Sequence, residues 1–435
     1  MKKHLLTFLL LALGMIVNAQ TPAITAVGTV GVEREITIGL NKAGSVSIDW
    51  GDGNLIEQSS TQAYDGWDGG IVFKGTPVQE GNIKIYGDSI IYIEAVGRFN
   101  EDKSDIPNAL VSIDLSKATE LTEAALNTNK FENINVANNT KLKNLNVANN
   151  KLENIDVTAL TELATLTIND NKITELDLSK NTKLTTLMLT NNKVQTLDLS
   201  NNKILKTMTC LNNELTSVNI GANEAKNHTF QFGGNKLTTF SLKEVTNLSG
   251  SYVYLRDNEL TEVELPAAVK RLWLDGNNFT LAQLYAYKSM ATQTFTYATT
   301  YTKESAQAPM TIEAKGNVVD LSEQAMLGET ATTFVWKNTN GETLVEGTDY
   351  TVSNGVFTFA NNQTAIYCEM TNAELNAFTA EKPFKTVAVD VEFDGIQVLN
   401  PAQIGDGIWY NLQGIRVENP SKGLYIKNGK IYFVK

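Results

Sequence analysis

The sequence predicts a β-rich solenoid of 21-residue repeats flanked on both sides by β-sandwich-like domains, and three observations carry that expectation. Leucines recur at Leu121, Leu142, Leu163, Leu184 and Leu205, and asparagines at Asn129, Asn150, Asn171, Asn192 and Asn213, both series at 21-residue spacing. The windows fit L-x-x-L-x-L-x-x-N once Ala124 and Met208 are admitted at inner leucine positions. Before Asn82 and after Ala308 this period is absent, and β-branched and aromatic residues alternate with polar ones instead.

The first element is a leader. Basic Lys2 and Lys3 precede the apolar stretch Leu5 to Val17, and small residues at Val17-Asn18-Ala19 set a cleavage site before Gln20. Residues 1–19 are therefore expected to be a secretory signal peptide. No later apolar run reaches the ~18 residues that a bilayer span needs, so no transmembrane helix is expected. Without Lys2 and Lys3, the 36 basic residues fall to 34 against 48 acidic ones, and the formal charge falls from −12 to −14. Such a chain repels phosphate backbones and anionic lipid, which argues against nucleic acid as a partner.

Residues 20–82 read as an N-terminal β-domain or cap, with strand alternation over Ile24 to Leu40 and Ser45 to Trp50 and a turn at Trp50-Gly51-Asp52-Gly53. That turn resembles one in bacterial extracellular β-domains of the polycystic-kidney-disease type. Asp49, Asp52, Asp65 and Asp68 lack calcium-ligand spacing and are expected to form turns. Ile83 to Tyr86 and Ile90 to Ile93 are expected to lead into the first coil.

Residues 83–290 are expected to be a leucine-rich-repeat solenoid. One coil cannot bury its own leucines, so coils stack and pool them. Leu184-Thr-Thr-Leu187-Met-Leu189-Thr-Asn-Asn192 is the cleanest copy, and Val194 to Asn202 belongs to a second, offset ladder. The asparagine amide is expected to bond the backbone of the adjacent coil. These windows resemble the repeats of the internalins, especially the internalin J type, in which a cysteine often holds one ladder position. Cys210 stands where Leu189 stands one coil earlier, but no other coil carries a cysteine, so it is read as a core residue. After Asn213 the spacing stretches through Asn235, Asn258 and Asn277, and Thr280 with Leu281, Leu284 and Tyr285 predicts a capped helix that closes the core.

Residues 308–391 resemble an immunoglobulin-like sandwich through Trp336 and Tyr367-Cys368, with hairpins at Asn340-Gly341 and Asn354-Gly355. The usual cysteine partner near Trp336 is missing. Residues 394–435 carry a further hairpin at Asn428-Gly429. This tail resembles C-terminal β-modules of exported Bacteroidota proteins, including type IX secretion sorting domains; a plain stabilising hairpin has the same pattern.

Side chains flanking the inner leucines point outward, and in the regular coils they are small and polar: Asn144, Asn146, Thr165, Thr167, Thr186 and Thr207. In the irregular coils they become Gln231, Tyr252, Tyr254, Arg256, Arg271, Trp273 and Asp275. Tyr, Trp and Arg dominate interaction hot spots, so these seven are the expected ligand-binding residues. Packing of the aromatics on the following β-domain is the competing reading. The column of Asn135, Asp156, Asp177, Asp198 and Asn219 is expected to close turns and not to bind metal.

Only Cys210, Cys368 and, past the leader, His228 are present, which argues against histidine triads and zinc clusters. No nucleophile and base or spaced carboxylate pair stands out, so no catalytic residue, metal or cofactor is expected. The function expected is a secreted or cell-surface adhesin or recognition protein that binds a host or other extracellular protein or peptide, as the internalin resemblance implies. The alternative is a glycan-binding surface protein using Tyr252, Tyr254 and Trp273.

Overall fold

Alternating β-branched residues near the N-terminus build a two-sheet cap on which the coils stack. The structure is a computed structural model that describes residues 21–78, 82–101, 105–106, 108–298, 307–392, 397–399, 407–412, 414–428 and 430–434; the expected leader lies outside them. The chain divides into two compact units, Met1–Val253 with Glu264–Pro266, and Tyr254–Val263 with Ala267–Lys435.

In the first unit the cap strands are β1 (Ile24–Gly28), β2 (Arg34–Leu40), β3 (Gly44–Asp49), β4 (Leu55–Ser60), β5 (Ile71–Gly75), β6 (Asn82–Tyr86), β7 (Ile90–Glu94) and β8 (Leu110–Asp114). One sheet has the order β4-β3-β6-β1-β8, and β5-β2-β7 form part of another. Ile24, Ile36, Ile38, Ile48, Ile83 and Ile85 are all at most 1% exposed, as period-two strands that share a core require. Ile83–Tyr86 does not lead into the first coil: β6 pairs antiparallel with both β1 and β3. The reason is its alternation, which places Ile83 and Ile85 in the cap core. The chain enters the first row of coil strands through β7, which pairs in parallel with β9 (Glu123–Ala125).

Arg34 occupies an inward position of β2 at 3% exposure. Among the described residues none of its three guanidinium nitrogens has a hydrogen-bond partner, and burial pushes its pKa down to about 10.

Each coil then adds a three-residue strand: β9 (Glu123–Ala125), β10 (Asn144–Asn146), β11 (Thr165–Thr167) and β12 (Thr186–Met188). A second row on the other ladder has β13 (Thr196–Asp198), which pairs in parallel with β15 (Ser217–Asn219). The first row continues with β14 (Thr207–Thr209) and β16 (Thr229–Gln231). Its register places Glu123, Asn144, Thr165, Thr186, Thr207 and Thr229 in one column, and β7 heads that column with Tyr92. Central residues Leu145, Leu166, Leu187, Met208 and Phe230 are buried, and their neighbours are half-exposed. These coils form a leucine-rich-repeat solenoid.

The ladder asparagine closes each coil. Asn192 Oδ1 accepts the Ile173 N–H at 2.9 Å, and its Nδ2 donates to the Ile168 carbonyl of the preceding coil at 3.0 Å and to Leu189 O at 3.2 Å. Asn150, Asn171 and Asn213 repeat the pattern. The residue before each ladder asparagine is left-handed, as at Asn149, Asp170, Asn191 and Asn212 with φ of 52° to 56°. Asn and Asp tolerate that backbone better than other residues with a Cβ.

β17 (Thr239–Ser241) belongs to the first unit, and β18 (Tyr252–Tyr254) and β19 (Glu262–Glu264) each carry residues of both units. The second unit continues with β20 (Val269–Trp273), α1 (Leu281–Lys288) and β21 (Ala291–Thr296), which pairs in parallel with β20. Thr280 and Gln283 form a capping box at α1, with Leu281 and Leu284 fully buried.

Residues 314–391 then form two main groups of strands. Thr333–Lys337 pairs with Gln363–Thr371, and Val318–Asp320 and Tyr350–Ser353 both pair with Val356–Phe359. Trp336 lies edge-on to Phe357 and Phe359 in the core and is paired across the sheet with Cys368, a buried free thiol like Cys210. Asn354 and Gly355, at φ 47° and 78°, form the expected hairpin turn. In the tail the strand order is Gln397–Leu399, Lys430–Val434, Gly423–Lys427, Trp409–Asn411 and Arg416–Val417.

Candidate ligand-binding face

Parallel strands one coil apart bring residues 21 positions apart into register, so the outward columns can be followed along each unit. In the first unit the second column runs Glu94, Ala125, Asn146, Thr167, Met188, Thr209 and Gln231. The regular coils thus present short side chains with little area to grip. Gln231 accepts the Thr209 hydroxyl at 3.1 Å, and Tyr252 is half-buried on β18.

In the second unit β18, β20 and the residues just after them bring five of the expected residues together. Tyr254 and Trp273 stack with ring centroids 3.9 Å apart and an interplanar angle of 13°. The Arg271 guanidinium lies 6.0 Å from the Trp273 ring centroid, at the outer reach of a cation–π contact. Arg256 Nε donates to Asp275 Oδ2 at 3.0 Å, and the Thr296 hydroxyl donates to the same oxygen at 2.8 Å. Asp275 is 0% exposed. It therefore holds Arg256 in place from within, and the side chains that reach solvent are Tyr254, Arg256, Arg271 and Trp273.

Several hydrogen bonds and an ion pair tie the end of the solenoid to residues 314–391. Lys288 on α1 pairs with Glu374 at 2.9 Å, the Ala282 N–H donates to Gln324 Oε1, and the Tyr297 hydroxyl meets Asn376 and the Ala377 N–H. These bonds are made by α1 and by Tyr297, just after β21.

The acidic residues act locally. Asp49 Oδ1 accepts the N–H groups of Gly51 and Gly53, and Asp65 Oδ1 accepts those of Trp67 and Asp68. Asp156, Asp177 and Asp198 each accept the N–H two residues on. Hydrogen bonds favour the carboxylate: the Thr158 hydroxyl first and then its N–H hold Asp156 below its ordinary range, and the Ser179 N–H first and then its hydroxyl do so for Asp177. His228 is fully buried between Asn223 Oδ1, 3.1 Å from Nε2, and the Ser251 hydroxyl, 3.2 Å from Nδ1. Burial, then the charge of Lys206, bring its pKa down to about 4. Burial likewise pushes the Cys210 thiol up, which makes it inert.

Sequence reasoning missed the other end of the face. Tyr64 and Tyr92 stack at 4.4 Å, and Trp67 is 94% exposed. Tyr92 lies before the first leucine window, so only its parallel pairing with Glu123 reveals that it heads the outward column.

No family model matches the chain, and no curated protein matches it. Among solved structures it is similar to the functional domain of InlJ from Listeria monocytogenes, at 18% identity over 69% of this chain and 65% of that one, with a TM-score of 0.46. It is also similar to a leucine-rich-repeat protein of Leptospira interrogans, at 18% identity over 45% of this chain and 57% of that one, with a TM-score of 0.32. A third is the internalin InlF of Listeria monocytogenes, at 17% identity over 48% of this chain and 81% of that one, with a TM-score of 0.27. The chain thus spans less than two thirds of the length of the first two. The likeness is one of fold. Among the described residues no helix is long and apolar enough to cross a membrane.

Proposed function

We propose that this chain is an exported or surface-displayed, non-enzymatic binding protein whose irregular coils grip a protein or peptide ligand through Tyr254, Trp273, Arg271 and Arg256. The observation that carries the reading is the Tyr254–Trp273 stack with Arg271 beside it. Two half-buried aromatic rings already fixed against each other lose little entropy when a partner covers them, and they pair with a planar cation. Asp275 holds Arg256 in advance for the same purpose.

The stack also favours a protein over a glycan. A sugar ring seeks an open aromatic face, whereas here one face of each ring covers the other, and the Trp273 column continues into Thr296. What remains for a partner is mainly ring edges and guanidinium groups.

The test is crosslinking capture from an extracellular protein mixture with the full chain and a Tyr254→Ala/Trp273→Ala variant, alongside a glycan array. The expected result is a defined protein captured by the parent and lost at least about tenfold in the variant, with unchanged far-UV circular dichroism. Equal capture by both proteins, or glycan binding that Trp273→Ala abolishes, overturns the proposal.

A further inference from the structure

The cap end of the first unit carries a second constellation, independent of the residues just proposed. Trp67 sits in a loop whose backbone is tied down: Asp65 accepts the Trp67 and Asp68 N–H groups at 2.9 and 2.8 Å, and the Tyr64 hydroxyl donates to Gly66 O at 3.2 Å. A fixed loop that holds its largest apolar side chain 94% in water forgoes the gain of burying it. Three residues before it, Tyr64 stacks on Tyr92, whose hydroxyl donates to Glu94 at 3.0 Å. Tyr92 borders a cavity of roughly 90 Å³ on the outward strand face, lined also by Glu123, Ala125, Asn144, Asn146 and Thr167. The small Ala125 side chain leaves this hollow between its longer column neighbours.

On the solenoid side of these rings the charge is acidic, while on the cap side Glu94 also lines a hollow with Arg34, Lys74 and Arg98. Asp65, Asp68, Glu94 and Glu123 are acidic, and from β7 to β14 the two outward columns contain no lysine or arginine. The Tyr64 hydroxyl responds to the same field: burial first, then Glu123, Glu94 and Asp65, raise its pKa. Electron-rich rings, carboxylates, amide oxygens and an apolar plate together suit a cation on an aliphatic stem.

We infer that this end of the face is a docking site for a lysine- or arginine-bearing segment of a partner protein. The cationic head enters the hollow between Tyr92, Glu123 and the asparagine amides, and Trp67 covers the stem methylenes. Neutral or acidic segments gain nothing from the carboxylates.

The test titrates the full chain with tetra-arginine and tetra-lysine peptides, with tetraglycine and tetra-glutamate as controls, following tryptophan fluorescence and calorimetric heat. The expected result is saturable binding of the basic peptides alone, weakened about tenfold by Trp67→Ala and by Glu123→Gln, and weakened by salt. Because the whole chain is acidic, Glu132→Gln is the control for diffuse attraction, and it should leave affinity unchanged. No saturable binding, equal binding by the Trp67→Ala chain, or an equal loss in the Glu132→Gln chain overturns the inference. Trp273→Ala leaves this binding intact, so the two proposals fail separately.

Discussion

At the scale of single residues, the polar groups that the solenoid buries set its response to pH. His228 is held neutral with a pKa near 4 against an ordinary 6.5. Between those values the unfolded chain binds a proton that the folded chain refuses, so stability rises with pH across that window. The contribution is complete above about pH 6.5 and shrinks as pH falls towards 4, by about 3 kcal/mol in all. Urea unfolding at pH 7 and pH 4.5 should show the difference, and His228→Gln should flatten the dependence. An unchanged slope in that variant means that carboxylates alone set the acid limb. Arg34 makes the opposite case, because its charge is buried and none of its nitrogens is bonded among the described residues. Replacing an uncompensated buried charge with an apolar side chain of similar length removes a desolvation cost. Arg34→Met is therefore expected to stabilise the cap by about 2 kcal/mol, read as a higher Tm; a lower Tm shows that the guanidinium is compensated.

At the scale of the coil, the ladder asparagine does what a leucine cannot. Asn192→Leu leaves the Ile173 N–H unpaired in the interior, at about 1–3 kcal/mol, and takes from the Ile168 carbonyl one of two donors, the other being Asn171 Nδ2 at 3.1 Å. Thr190→Val, by contrast, removes a buried hydroxyl that has no partner and should change stability by less than about 0.5 kcal/mol. Hydrogen exchange at the Ile173 amide distinguishes them: protection falls in the first variant and holds in the second. This part of the fold was legible in the sequence because each coil bonds the coil about 21 residues away, which forces the same residue types to recur. The cap was less legible. β1 pairs with β8 across as many as 89 positions, as Thr25 with Asp114, and no period connects such partners. That is why β6 read as the start of a coil, and why Tyr92 was not recognised as the head of the outward column. The patch of the irregular coils was visible as residue types, but not its internal division of labour: Asp275 looks outward by register, yet it is drawn inside by Arg256 and Thr296.

At the scale of the molecule, the second unit raises the question of what closes the open end of a stacked core. A solenoid ends on coils that lack a neighbour on one side, and they need a cap. α1 supplies part of it by burying Leu281 and Leu284, but its outer side bonds to short 3-10 turns between the strands that follow, through Lys288–Glu374 and Ala282–Gln324. Gln307 adds two further ties, donating to the carbonyls of Leu274 and Tyr297. Tyr297 itself is 8% exposed and packs on Phe378. The residues after the solenoid therefore stabilise the coils that carry Trp273, as well as forming sheets of their own. A chain ending at Ala298 loses Gln307 and exposes Tyr297 and the outer side of α1. Stability in a stacked array is a sum of neighbour terms, so the loss should concentrate in the last coils. The amides of Leu272 to Leu274 should then exchange faster in the truncated chain while those of Leu166 to Ile168 stay protected. Uniform loss of protection along all coils shows instead that the array unfolds as one cooperative block.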